Sequence, residues 1–374
     1  MKQIRIIYMQ YFDLLQQHPK MGGVESYISA LIALFVDKGY AVTVYQLAQK
    51  AFSVDWLGGK VVGVEQAKSN KDLVRFIVEH ENPDLENDIL LFATDFSIVK
   101  SPFKHTIAIQ HGVAWDIPAP SPAGFVKNMA NVCLGAFRAW RKYMRYRYCK
   151  TLVCVDYNFV NWFRTQLATI PNQMKVIPNF TQLWDKPAAR PQDGPVSVIF
   201  ARRLVPYRGT RLFTRAILPL LEKYPNLQIT VAGTGPDEKW MKGQLARFTN
   251  VHFTSFESQD SLKIHARHDI AVVPTVGSEG TSLSLLEAMS AGCAVIASNV
   301  GGLTNILINN HNGLIIAPEP EELTHALEKL ITDAALRRRL AAMGRRTVEE
   351  SFSLQAWQQA WVNLIQRVGE AHVR

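Results

Sequence analysis

Short apolar runs bounded by turn residues alternate along this chain with longer segments whose apolar residues recur every three or four positions. In the first half, Ile4 to Met9 and Ala41 to Leu47 read as strands flanking a helix from about Val24 to Asp37. Ile89 to Ala93, Thr106 to Gln110 and Thr151 to Val155 continue the series. A second series holds strands at Val196 to Ala201, Gln228 to Ala232, Val251 to Ser255, Ile270 to Pro274 and Ala294 to Ser298, with a helix near Leu212 to Lys223. From Glu321 onward the pattern is helical and ends in the amphipathic WQQAWVNLIQRV. Alternating strands and helices predict an α/β protein with doubly wound parallel sheets. The stretch WDKPAARPQDGP from Trp184 to Pro195 breaks the pattern and reads as a linker. Two Rossmann-like domains facing a central cleft are therefore expected, 1–185 and 190–352, with a final helix over about 353–374 packing back on the first. Ligands in such sheets bind beyond the carboxyl ends of strands, so loops that follow strands matter most.

Length supports this division, since 374 residues suit two domains with full cores. No run reaches the roughly 18 apolar residues of a membrane span. The start, MKQIRIIYMQYF, lacks a small-residue cleavage site and reads as a first buried strand, which gives a cytoplasmic expectation. Four cysteines without a CxxC pair, and no Asp-x-Asp anywhere, give the expectation of no metal and no cofactor. Lysine and arginine number 41 against 32 acidic residues, a balance of +9 that favours anionic partners.

The densest chemistry lies between Glu279 and Gly302. A strand, a loop, a helix, a glycine stop and a second strand follow in order, with Glu279 before the helix and Glu287 one turn inside it. Free N–H groups at a helix start bind anions. Carboxylates on either side of that start suit a ligand carrying both phosphate and hydroxyls, as sugar nucleotides do. Ser284 to Glu287 also fits a capping box, which assigns Glu287 to the helix start alone. Other loops after strands carry matching features. Gly22 and Gly23 open the first helix; Arg203 and Arg208 flank a proline turn and are expected to converge on a diphosphate. Gly233-x-Gly235 ends a strand in a tight turn, and His111 places an imidazole at the carboxyl edge of the first sheet.

In chain order, GGVE, a strand followed by HG, VIPN, ARRLVPYRG, AGTGP, EGTSLSLLEAMSAGCAVIAS and NVGG resemble the retaining family 4 glycosyltransferases of GT-B fold, the glycosyl transferases group 1. The resemblance runs from Gly22 to the C-terminal helix. It implies that Glu287 holds the ribose hydroxyls of a nucleotide-sugar, and that Glu279 contacts the transferred sugar. It implies further that Arg203 and Arg208 bind the diphosphate and stabilise the leaving group. Gly22, Gly23, Gly233 and the backbone of Gly280, Thr281, Ser282 and Leu283 then complete the donor site, with His111 against the sugar. Three positions depart from the family pattern. Thr281-Ser282 replaces Phe-Gly, Arg208 replaces a lysine, and Arg202 replaces a glycine, which leaves Arg202 as either a third phosphate contact or an exposed side chain. In this family the nucleotide-sugar is a substrate, and reaction proceeds with retention.

Positive charge concentrates in one segment. Arg138, Arg141, Lys142 and Arg145 share a helical face and interleave with Phe137, Trp140, Tyr143 and Tyr146. A basic, aromatic helix reads as a membrane-surface element, and Arg138, Trp140, Arg141, Lys142 and Arg145 are its membrane-facing candidates. Nucleic acid is not expected, because no nucleic-acid module surrounds the segment. The combined expectation is a hexosyltransferase peripheral to the inner face of the cell membrane. It would move a hexose, UDP-linked by default, to a lipid-linked acceptor in lipopolysaccharide, O-antigen or capsule-type polysaccharide biosynthesis. A non-catalytic nucleotide-sugar or nucleic-acid binding protein on the same fold is the alternative.

Overall fold

The computed structural model describes residues 2–13, 18–20, 22–112, 144–166, 173–185, 194–277 and 279–370, with positions 129, 134, 137 and 140 of a helical stretch. It divides into two compact units: Met1–His111, Trp115–Ile177 and Ala360–Arg374 form the first, and Gly112–Ala114 with Pro178–Gln359 form the second.

The first unit contains an eight-stranded sheet. Across it the strands run Gln173–Val176, Thr151–Cys154, His105–Gln110, Ile89–Phe92, Gln3–Ile7, Ala41–Leu47, Gly59–Val64 and Phe52–Trp56. All neighbours are parallel except the last pair. Ile89–Phe92 and Thr151–Cys154 are buried along their whole length, as expected of strands covered on both faces. The antiparallel edge strand Phe52–Trp56 alternates exposed and half-buried residues instead. Chain order reverses between Gln3–Ile7 and Ile89–Phe92, which makes the carboxyl ends of these two strands the switch point. From Ala360 the C-terminal helix Leu354–Glu370 belongs to this unit. Its Trp361 is fully buried against Phe35 and Tyr27, with Nε1 donating to the Tyr27 hydroxyl at 2.9 Å.

The second unit is a six-stranded, wholly parallel sheet in the order Val251–Thr254, Gln228–Ala232, Ser197–Ala201, Ile270–Val273, Ala294–Ser298 and Leu314–Ile316. Alternate residues of each strand serve two separate cores, because successive side chains leave a strand on opposite faces. Val198, Phe200, Val272 and Ile296 pack with the helices Thr210–Lys223 and Pro320–Thr332 through Phe213, Ile217, Leu323 and Leu327. Ile199, Ala201, Val273 and Val295 pack on the opposite face with Leu285, Leu286 and Met289 of the helix Leu283–Ser290. Each such aliphatic side chain stabilises the fold by about 1.5–3 kcal/mol when fully buried. Here the switch point falls between Ser197–Ala201 and Ile270–Val273.

Candidate active site

Two loops leave the switch point of the second sheet: the one beginning at Arg202, and the one running from Pro274 to Ser282. Their shape is imposed by neighbouring turns. Gly233 has φ +139°, and a Cβ there would stand 2.1 Å from the Arg202 carbonyl oxygen, so only glycine lets the two backbones pass. Arg202 N–H in turn donates to Ala232 O at 2.9 Å and Leu204 N–H to Thr234 O at 2.8 Å. Gly301, at φ +55°, packs its α-carbon on the Glu279 backbone, where a Cβ would meet Glu279 O at 2.3 Å. Gly302 N–H donates to that same oxygen at 2.8 Å, and Asn179 Nδ2 donates to Thr281 O at 2.7 Å. Glu279 thus stands on a loop clamped from two directions.

The Glu279 side chain is buried, and its Oε2 collects three donors. Arg202 Nη2 lies at 2.6 Å, Thr275 Oγ1 donates at 2.8 Å, and Arg208 Nη1 makes a further short ionic contact. Arg202 Nη1 also donates to Thr275 Oγ1 at 2.5 Å. Burial presses the Glu279 carboxyl upward, but the charges of Arg202 and Arg208 outweigh it and leave the group below the ordinary carboxylate range. Burial also presses Arg202 downward against the pull of Glu279. An arginine starts so high that it stays a cation, and the pair is ionic.

Glu287 behaves oppositely. It lies within the helix Leu283–Ser290, with Oε2 accepting from Ser261 Oγ at 2.5 Å and no ion pair to a cation among the described residues. Desolvation lifts its carboxyl to about 7, against the pull of the Ser261 hydroxyl. The two carboxylates therefore differ in charge state at neutral pH: Glu279 is fixed as an anion, and Glu287 is poised to gain or lose a proton. The capping-box alternative is not what the helix uses. Ser284 Oγ donates instead to Ala201 O at 2.9 Å, and Glu287 turns to Ser261.

Among the remaining candidates, Arg208 joins Glu279 but Arg203 does not. Arg203 is exposed and donates through Nη2 to the Tyr207 hydroxyl at 2.6 Å. Arg203 and Arg208 do not meet in this structure; the cation that shares Glu279 with Arg208 is Arg202, which is buried rather than exposed. Alternation of side chains past the strand end explains the difference, since 202 and 203 must point to opposite sides. Gly233 supports the Arg202 backbone. Gly280, Thr281, Ser282 and Leu283 lead into the helix, whose first N–H groups lack intrahelical acceptors. Thr275 and Ser261 join the site without any motif to announce them.

In the first unit, His111 follows the strand His105–Gln110 and sits at the sheet's carboxyl edge. Its Nε2 donates to Ala93 O at 2.9 Å, and its ring meets Tyr27 edge-on at 5.2 Å. Burial lowers its pKa, with the Ala93 bond and the charges of Asp95 and Glu25 opposing. Gly22 is extended and precedes the helix Gly23–Asp37; a Cβ there would meet only the carboxylate end of Glu25. Of the membrane-facing candidates, Arg145 is exposed and Trp140 is 55% exposed, stacked on Phe137 at 5.9 Å. Arg138, Arg141 and Lys142 lie outside the described residues. Among the described residues no helix is long and apolar enough to cross a membrane, and no group of three or more His, Cys, Asp or Glu could hold a metal ion.

Residues 184–347 match the family described as Glycosyl transferases group 1. Glycogen synthase of Mycobacterium tuberculosis is 30% identical over 177 residues, 46% of this chain and 42% of that protein. Phosphatidyl-myo-inositol mannosyltransferase of the same species is 26% identical over 166 residues, 42% of this chain and 43% of that protein. The chain spans less than half the length of these curated relatives. In fold, it is similar to sucrose-phosphate synthase from Thermosynechococcus elongatus, with a TM-score of 0.73 at 15% identity, covering 98% of this chain and 99% of that one. Anabaena HepE in complex with UDP-glucose gives 0.72 at 17% identity, covering 98% and 100%. The segment 184–347 belongs to the glycosyl transferases group 1 family, on a chain of GT-B fold.

Proposed function

We propose that this protein is a retaining hexosyltransferase that uses a UDP-linked sugar. The observation that carries this reading is the placement of Glu279, Glu287 and Arg208 around one switch point. An ionised carboxylate, a carboxylate poised near neutrality and a partly exposed guanidinium suit, in turn, a sugar, a ribose diol and a diphosphate. The Anabaena relative in fold was solved with UDP-glucose, which supports both the uridine and the hexose. In the reaction, Glu287 accepts hydrogen bonds from ribose hydroxyls, and Glu279 holds hydroxyls of the transferred sugar. Arg208 stabilises charge gathering on the departing diphosphate. The acceptor hydroxyl attacks on the face the diphosphate leaves and passes its proton to a diphosphate oxygen, which gives retention without a carboxylate nucleophile.

The acceptor we assign is a lipid-linked or surface glycan at the inner membrane face. Leu134, Phe137, Trp140 and Met144 are all exposed, and at 100° per residue they fall within an arc of about 120°. Arg145 borders that arc. An apolar stripe beside basic charge suits the interface of an anionic bilayer.

The test is thermal stability against UDP, GDP, ADP, CMP and their sugar conjugates, with Glu287→Ala as control. A ligand at a hundred times its dissociation constant adds about 2.7 kcal/mol. Stabilisation of wild type by UDP and its conjugates alone is expected. A flat panel from a folded protein overturns donor binding and leaves the non-catalytic alternative.

A further inference from the structure

We propose that Arg202 is the standing counter-ion of Glu279, and that its presence releases Arg208 to engage the diphosphate. The inference rests on the sugar-nucleotide reading and adds a positioning residue to it.

Two guanidiniums share one carboxylate oxygen, so the cluster holds one positive charge more than it needs. An entering diphosphate will draw one of the two cations away. They are not equally free to go. The Arg202 side chain is 4% exposed and is tied twice, to Glu279 Oε2 and to Thr275 Oγ1, which itself donates to the same carboxylate oxygen. The Arg208 side chain is 23% exposed, and its only side-chain hydrogen bond among the described residues is to Glu279. Its guanidinium otherwise lies over the Tyr207 ring at 5.2 Å, and it stands on the single turn Pro206–Arg208. Arg208 is the cation that leaves.

Its departure is tolerable only because Arg202 stays. A buried carboxylate that loses its last partner either pays a heavy desolvation penalty or takes up a proton, and a protonated Glu279 accepts sugar hydroxyls poorly. With Arg202 and Thr275 both on Oε2, the anion and its orientation persist, and among the described residues Oε1 has no hydrogen-bond donor. Arg202 touches neither sugar nor phosphate in this account; it acts through Glu279.

A thermodynamic cycle tests this with UDP as the probe, measured by calorimetry on wild type, Arg202→Gln, Glu279→Gln and the double variant. Arg202→Gln should weaken UDP binding about tenfold when Glu279 is ionisable and less than about twofold in the Glu279→Gln background, because the neutral amide needs no counter-ion. Arg202→Lys should recover most of the loss, and a new acid limb should appear in the pH profile of Arg202→Gln. Equal losses in both backgrounds would mean that Arg202 meets the phosphate directly; no loss in either would mean that Glu279 needs no such partner. Either result overturns the proposal. A second measurement needs no nucleotide. In the ligand-free protein, the 13C-carboxyl titration of Glu279 should move further upward in Arg202→Gln than in Arg208→Gln, and the reverse order overturns the assignment. If wild type binds no nucleoside diphosphate, the sugar-nucleotide reading falls, and this titration still decides which arginine is the counter-ion.

Discussion

Ser261 and Glu287, 26 residues apart, meet at 2.5 Å, the hydroxyl donating to a carboxylate that has no ion-pair partner among the described residues. Desolvation holds that carboxyl at about 7, against an ordinary 4.5. The folded state therefore binds a proton between pH 4.5 and 7 that the unfolded state has released. The stabilisation is fully present below pH 4.5 and lost as pH rises to 7, a change of about 3 kcal/mol at most. His265 runs the other way, since burial lowers it from 6.5 to about 4 and stability rises with pH across that window. Subtraction removes it: urea unfolding of wild type minus Glu287→Gln should fall steadily from pH 5 to pH 7. A flat difference removes Glu287 from its assigned environment.

Because ribose hydroxyls donate to the ionised form of Glu287, the same titration predicts that UDP affinity rises between pH 6 and pH 8. The Glu287→Gln variant should show a smaller rise, limited to what ionisation of the terminal phosphate of UDP contributes. Isothermal calorimetry at three pH values reads the outcome, and a wild-type affinity independent of pH would count against the ribose role.

Gly301 offers a steric test of the Glu279 loop. Its left-handed φ and the 2.3 Å approach of a hypothetical Cβ to Glu279 O leave no space for a methyl group. Gly301→Ala should cost more than about 1 kcal/mol and weaken UDP binding together, since the displaced backbone is the one carrying Glu279. Gly243→Ala, in the helix Glu238–Leu245 with open space around it, is the matched control and should do neither. Chemical denaturation and nucleotide titration on the pair give the answer.

The parallel strands are legible because a strand covered on both faces must be apolar throughout: Ile270–Val273, Ala294–Ser298 and Ile89–Phe92 read as bare hydrophobic runs. The edge hairpin of Phe52–Trp56 and Gly59–Val64 escapes that rule, since its outer strand is half exposed and its turn rests on Leu57 and Gly58 at positive φ. Leu314–Ile316 is too short, at three residues, to make a pattern. Within the site, Glu279, Glu287 and Arg208 announce themselves by spacing along one segment or one turn. Arg202 does not, because which of two adjacent arginines faces inward depends on where the strand Ser197–Ala201 stops. Ser261 has no local signal at all; its role exists only once the short helix Ser261–His265 has packed on Leu283–Ser290.

Trp361 anchors the C-terminal helix in the first unit, fully buried and bonded to the Tyr27 hydroxyl. Trp361→Ala should cost about 3–5 kcal/mol through the cavity it leaves. Trp361→Phe should cost less, chiefly the hydrogen bond at about 1 kcal/mol and some volume. Since Tyr27 also meets His111 edge-on, chemical shifts of the His111 ring should move in both variants. Two-dimensional imidazole spectra alongside the unfolding curves test the coupling.

For the exposed stripe, sedimentation with phosphatidylglycerol vesicles separates membrane docking from an idle helix face. Trp140→Ser with Arg145→Glu should reduce binding by about tenfold or more, one change removing apolar insertion and the other reversing a charge. Binding should weaken with added salt and be minor on phosphatidylcholine. Unchanged partitioning would turn the acceptor assignment toward a soluble sugar.

Glu279→Ala poses the sharpest question about the charge cluster. It strips two guanidiniums of their shared counter-ion, one of them buried, and such a loss typically costs about 3–5 kcal/mol. Arg208 can turn to water, being partly exposed, so most of the cost falls on Arg202. A diphosphate supplies the missing negative charge. Glu279→Ala should therefore be less stable than wild type without ligand, yet gain more from saturating UDP in the same thermal scan, even while turnover of the sugar conjugate is lost. If the variant melts like wild type and responds to UDP no more strongly, the two arginines are not held by Glu279 in solution, and the charge balance assigned to this site is wrong.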